Sequence, residues 1–170
     1  MLDTHLTAVN GRRPRRPAAL HALLATRLAT LLAALLAAGA SAQTGPQPRL
    51  PGVDLTAGIY VIKAEVAATP EQQATGMMFR REMPDNDGML FVNDEAGVRC
   101  FWMKNTLVPI TIAFIADDGT IVNLADMAPQ SEQSHCSARP VRLALEMKQG
   151  WFAKRGIKAG FKLRGAPFGT

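Results

Sequence analysis

Between Ile59 and Val66 apolar and polar residues alternate, with Tyr60, Ile62, Ala64 and Val66 on one face and Lys63 and Glu65 on the other. A period of two is the signature of a strand buried on one side. The pattern then changes. Thr69-Pro70-Glu71-Gln72 joins a capping box to a proline at the first helical position, which predicts a short helix from Pro70 to about Phe79. Gly88 to Val92 and Arg99 to Met103 are apolar runs of strand length. Ile110 to Ala116 and Ile121 to Met127 flank Asp117-Asp118-Gly119-Thr120, and an Asp-Gly pair between two such runs predicts a β-hairpin. Val141, Leu143, Leu145 and Met147 alternate with Arg142, Ala144, Glu146 and Lys148 in a further strand. A helical turn around Trp151 to Arg155 ends at Gly156, and Ile157 to Leu163 reads as a last strand. Five to seven strands with one or two short helices and hairpin connections predict a β-rich α+β fold, a compact antiparallel barrel or a folded sheet.

The chain upstream of these elements has a different character. Five arginines between Arg12 and Arg27 precede an uncharged Ala/Leu segment, and Ala40-Ser41-Ala42 places small residues where a signal peptidase acts. Residues 1–42 thus read as a secretory signal peptide cut before Gln43. The uncharged segment is short and half alanine, poor material for a retained membrane span, so no membrane association is expected after cleavage. Prolines 46, 48 and 51 with Gly45 and Gly52 make residues 43–57 a tether, leaving 58–170 as one domain. The leader also explains the charge. The whole chain of 170 residues carries +5, but residues 1–42 account for +4 of it. The exported part is nearly neutral and shows no basic stripe with interleaved aromatics, which argues against a nucleic-acid partner.

Cys100 and Cys136 are the only cysteines, and an even count in an exported chain predicts a disulfide; a reactive or metal-binding thiol pair is the alternative. His135 is the sole histidine after residue 42, so a histidine-rich zinc site is excluded. No serine sits in a nucleophile elbow. Seven methionines after residue 42 would suit copper(I), yet most fall in apolar runs where methionine fills gaps. No metal and no cofactor are therefore expected.

Phe101-Trp102-Met103-Lys104-Asn105-Thr106 sets bulky apolar residues directly against three hydrogen-bonding ones. Together with Gly76-Met77-Met78-Phe79-Arg80, Gly88-Met89-Leu90-Phe91, Met127-Ala128-Pro129 and Leu145-Glu146, this run resembles the signature of the bacterial and archaeal domain of unknown function 192 from about Val61 to Leu163. The resemblance implies a small β-rich domain, often exported, without an established activity. Thr111 stands where that family commonly has aspartate, and Phe161 where Gly-Asp is usual.

The polar residues inside these motifs suggest a ligand-binding set: Arg80, Trp102, Lys104, Asn105 and Glu146. Arginine offers a planar fork, asparagine a donor and an acceptor, tryptophan a stacking face. Two cations favour an anionic or polyhydroxyl small ligand. Equally, Arg80 could cap its helix, Asn105 could serve its own turn and Trp102 could be core. A hydrolase using Glu146 and neighbouring polar groups is a second reading, and a module that binds an envelope protein a third.

Overall fold

A computed structural model describes residues 44–168; the segment read as a signal peptide lies outside the described residues. In chain order the elements are β1 (Gly52–Ala57), β2 (Tyr60–Ala67), α1 (Pro70–Thr75), β3 (Asp87–Gly97), β4 (Cys100–Phe101), β5 (Ile110–Ile115), β6 (Ile121–Met127), β7 (His135–Cys136) and β8 (Val141–Lys148), followed by a 3-10 turn at Ala153–Arg155. Six strands form one sheet in the order β1-β2-β3-β8-β5-β6, and β4 pairs with β7 in a separate ribbon.

The sheet is open, so the folded-sheet alternative holds and the barrel does not. It is also not wholly antiparallel. Strands β2 and β3 run parallel, because the connection between them carries α1 and returns the chain to the same end of the sheet. Thr69 caps α1 as expected: its hydroxyl accepts from the Gln72 amide, and the Gln72 side chain accepts from the Thr69 amide. The helix stops at Thr75 rather than near Phe79, since Gly76 takes a positive φ and breaks the ladder. Strand β1 lies within residues assigned to the tether. Its prolines and Gly45 precede the paired stretch, and Gly52–Ala57 forms a full antiparallel register with β2.

Strands β3, β8 and β5 occupy the middle of the sheet and are covered on both sides. One face carries Leu90, Ala113, Leu143, Leu145 and Met147 under Trp151, Phe152, Ile157 and Leu163. The other carries Met89, Phe91, Ile110, Ile112 and Phe114 under Met77, Met83 and Met103. The predicted hairpin joins β5 to β6. Gly119 adopts φ +86°, and a Cβ there would run into the Leu163 carbonyl oxygen, because the C-terminal segment crosses over the turn. That segment makes only two isolated bridges, Thr120 with Lys162 and Thr56 with Arg164, rather than a last strand. Among the described residues no helix is long and apolar enough to cross a membrane.

Candidate functional site

Arg80 follows the turn after α1 and points into an ion pair. Its Nη1 and Nη2 donate to Glu65 Oε1 and Oε2 at 2.5 and 2.7 Å, a bidentate fork. Glu65 also accepts from the Leu50 amide at 2.8 Å and from Arg49 at 3.4 Å. Burial pushes the Glu65 carboxyl up, but the Arg80 fork, the Leu50 amide and the charges of Arg80 and Arg49 outweigh it and hold the group below its ordinary value. Arg80 is thereby committed to a structural contact between the post-helix turn and β2.

Trp102, Lys104 and Asn105 belong to the segment leaving β4. The Thr106 amide donates to the Met103 carbonyl, closing a tight turn in which Asn105 takes φ +56°. Asparagine tolerates this left-handed region better than most residues, so the turn accounts for it without a ligand. The Asn105 carbonyl in turn accepts from the Phe79 amide at 2.8 Å, and Phe79 itself sits at φ +63°. The two motifs are therefore joined through their backbones. Their charged side chains diverge: Lys104 reaches Glu132 at 3.8 Å and lies over the Trp102 ring, 5.2 Å from its centre, while Arg80 reaches Glu65.

Glu146 lies on β8 between Met89 of β3 and Ile112 of β5. It is only 4% exposed, and burial raises its carboxyl to about 8. No hydrogen bond or ion pair to its side chain exists among the described residues, so no neighbouring charge offsets the loss of hydration. Glu146 lies on the lining of a pocket of about 350 Å³. One wall is α1 with the turn Gly76–Met78, the other is the stretch 98–102, and Phe91, Asn93 and Thr106 complete it. Of the residues singled out in the sequence, Trp102 and Glu146 share this pocket; Arg80, Lys104 and Asn105 are not on its lining.

Gln73, Asn93 and Arg99 also line the pocket and were not singled out. Gln73 and Asn93 carry no motif signal; each becomes a wall residue only because α1 lies across the end of β3. The wall at 98–102 is fastened by the disulfide, as the pair of cysteines predicted. Cys100 and Cys136 face each other directly in the β4–β7 ribbon, with Cα atoms 4.0 Å apart, so neither is a free thiol. Phe101 anchors the same wall from inside, packing edge-on against Phe91 at 4.8 Å and tilted against Phe114 at 5.9 Å. Among the described residues no group of three or more His, Cys, Asp or Glu is placed to hold a metal ion.

Residues 53–165 match the model of domain of unknown function 192, a family described as an uncharacterized ACR. A crystal structure from Sinorhizobium meliloti 1021, described as a candidate transcription regulator, is 34% identical with a TM-score of 0.66; the match covers 71% of this chain and 98% of that one. A protein of unknown function from Novosphingobium aromaticivorans DSM 12444 is 33% identical with a TM-score of 0.63, covering 73% of this chain and 94% of that one. No curated protein matches the chain. A match that takes in every strand of the sheet, with solved relatives at a third identity over almost their whole length, makes this chain a member of the domain of unknown function 192 family.

Proposed function

We propose that the folded part of the chain is an exported binding module for a small polar organic molecule, held in the pocket between α1 and the disulfide-pinned wall. The observation that carries the reading is Glu146. A carboxyl group buried among Met89, Ile112 and aromatic rings without a polar partner costs free energy, and such a group is retained where something else uses it. Trp102, 47% exposed, supplies a flat apolar face at the mouth. A volume of about 350 Å³ suits a molecule of ordinary metabolite size.

The anionic ligand expected from the sequence rested on Arg80 and Lys104 as free cations. With both paired to carboxylates, support for an anion at these residues falls away, while stacking of a polyhydroxyl ligand on Trp102 keeps its footing. Hydrolysis is less well supported than binding. Glu146 could serve as a general acid, but no second acid and no nucleophile activated by a base shares the lining. The role described for the Sinorhizobium relative belongs to that protein. Here the near-neutral charge of residues 43–170 and the leader at 1–42 favour the periplasm or the exterior and no nucleic-acid partner. The test is thermal unfolding against a panel of sugars, polyols, amines and small acids. A ligand of this pocket raises the midpoint of the wild type and loses its effect in Glu146→Gln and Trp102→Ala. Stabilisation that survives both substitutions places the ligand elsewhere and refutes the reading.

A further inference from the structure

Resting on the reading of this pocket as a ligand site, we propose that the ligand presents a primary ammonium group, which Glu146 receives as a carboxylate on the lining it shares with Phe91, Phe101 and Trp102. Several polar atoms on the lining are already committed. The Gln73 side-chain amide donates to the carbonyls of Ala67 and Val92 at 3.3 and 2.8 Å, and that of Asn93 donates to the Arg142 carbonyl at 2.9 Å. No hydrogen bond reaches Gln73 Oε1 or Asn93 Oδ1 among the described residues. The Thr106 hydroxyl is directed to the Lys104 carbonyl at 3.5 Å. Arg99 donates Nη2 to the Glu95 carbonyl, and its Nε is buried where the guanidinium folds back over Gly97. The side-chain groups left for a ligand are the acceptors Gln73 Oε1, Asn93 Oδ1 and the Glu146 carboxylate, with the Trp102 indole and the remaining Arg99 N–H groups as donors in the wall. A ligand that answers the three acceptors presents N–H or O–H donors to them.

Charge and aromaticity narrow the class. Among the described residues Glu146 and Arg99 are the charged residues on the lining; Arg99 stands in the 98–102 wall, tied to the Glu95 carbonyl, and Glu146, 4% exposed and without a partner, is the group a cationic ligand can pair with. Phe91, Phe101 and Trp102 are also on the lining, and an aromatic face attracts a cation and not an anion, as Trp102 already does with Lys104. A primary ammonium satisfies acceptors and rings together, with three N–H donors and a positive charge. A quaternary ammonium has the charge without the donors, and an alcohol has a donor without the charge.

Binding then carries a proton with it. Free Glu146 is mostly protonated near neutrality because burial holds its carboxyl up. As the ammonium arrives, Glu146 gives its proton to solvent and the carboxylate pairs with the ammonium, so one proton is released for each ligand bound. The elements around Glu146 contribute no other group that titrates in this range. The wall from Gln73 to Met78, the β3 residues Met89, Phe91 and Asn93, and Ile112 of β5 are uncharged, and Arg99 is the one other charged side chain on the described lining. Affinity therefore rises with pH toward about 8 and levels off above it.

The experiment follows amide resonances of the protein, in the form the cell produces, during titration with n-butylammonium, n-butanol, tetramethylammonium and butyrate. Calorimetry in buffers of different ionisation enthalpy runs in parallel. The expected result is saturable binding of n-butylammonium that perturbs Met77, Phe101 and Glu146, at least about tenfold tighter than n-butanol or tetramethylammonium, with close to one proton released at about pH 6 and a loss of about tenfold or more in Glu146→Gln. Proton release by the wild type is a readout that does not depend on how the variant folds. Binding of n-butanol or butyrate at this pocket with equal or greater affinity, or n-butylammonium binding without proton release, overturns the ammonium proposal and leaves the pocket reading standing. If no probe moves the pocket resonances saturably, both fail.

Discussion

Glu146→Gln keeps the shape of the side chain and removes its titration, so it isolates the energetic cost of the buried carboxyl. Burial raises this group from 4.5 to about 8. Between those two values the folded protein holds a proton that the unfolded chain has released, and stability falls as pH rises through the window. Below about 4.5 the group is protonated in both states and costs nothing; above about 8 the whole cost is present. At about 1.4 kcal/mol per pH unit across the window, the cost reaches about 5 kcal/mol. Urea unfolding of wild type and variant from about pH 5 to pH 9 should thus give nearly equal stabilities at the acid end, with the variant gaining steadily and ahead by several kcal/mol at the alkaline end. The other carboxylates cancel in this comparison, because both proteins carry them. A difference that stays constant with pH, or a wild type that is the more stable at pH 9, would refute the claim that Glu146 is buried and unpaired.

Three further outcomes follow from the packing. Arg80→Met leaves Glu65 buried with only Arg49 and the Leu50 amide, and should cost about 3 kcal/mol at neutral pH in chemical unfolding. Because Glu65 is held below its ordinary value, that deficit should shrink as pH falls through the acid range below about 4.5, and an unchanged deficit there would count against the ion pair as its source. Replacing both cysteines by serine opens a loop of 36 residues and should lower stability by about 4 kcal/mol, read as a fall in the urea midpoint relative to the oxidised protein. Gly88→Ala drives a Cβ to 2.6 Å from Met147 Sδ and 2.9 Å from the Glu146 carbonyl, so about 1–3 kcal/mol should be lost; a neutral effect would contradict the β3–β8 spacing.

Residues that act locally were legible in the sequence. The Thr69 capping box, the Asp118-Gly119 turn and the alternation along β2 and β8 are each decided by neighbours a few positions apart, and the cysteines could pair in only one way. What was missed depends on which strands lie side by side. Strand β1 was hidden behind prolines 46, 48 and 51, although Val53, Leu55 and Ala57 alternate with Asp54 and Thr56; its place comes from the register it makes with β2. Glu65 and Glu146 both read as the polar side of an alternating strand, yet both are buried. For Glu65 the reason is Arg80, which arrives from the turn after α1 and covers it. For Glu146 it is the central position of β8, whose two faces are both packed. A signal was present: Leu143 to Met147 contains Glu146 as its sole polar residue, the near-continuous apolar run of a strand buried on both sides. Trp102 lies just past β4, a strand of two residues, and stays half exposed on the pocket lining.

Carboxyl-carbon NMR of Glu146 across the pH range reads the state of the one buried, unpartnered acid directly. In the free protein the resonance should titrate with a midpoint near 8, and addition of n-butylammonium should move that midpoint down. A Glu146 that titrates at the ordinary glutamate value in the free protein, or whose midpoint does not respond to the amine, would contradict the buried, unpartnered acid and the ligand site built on it.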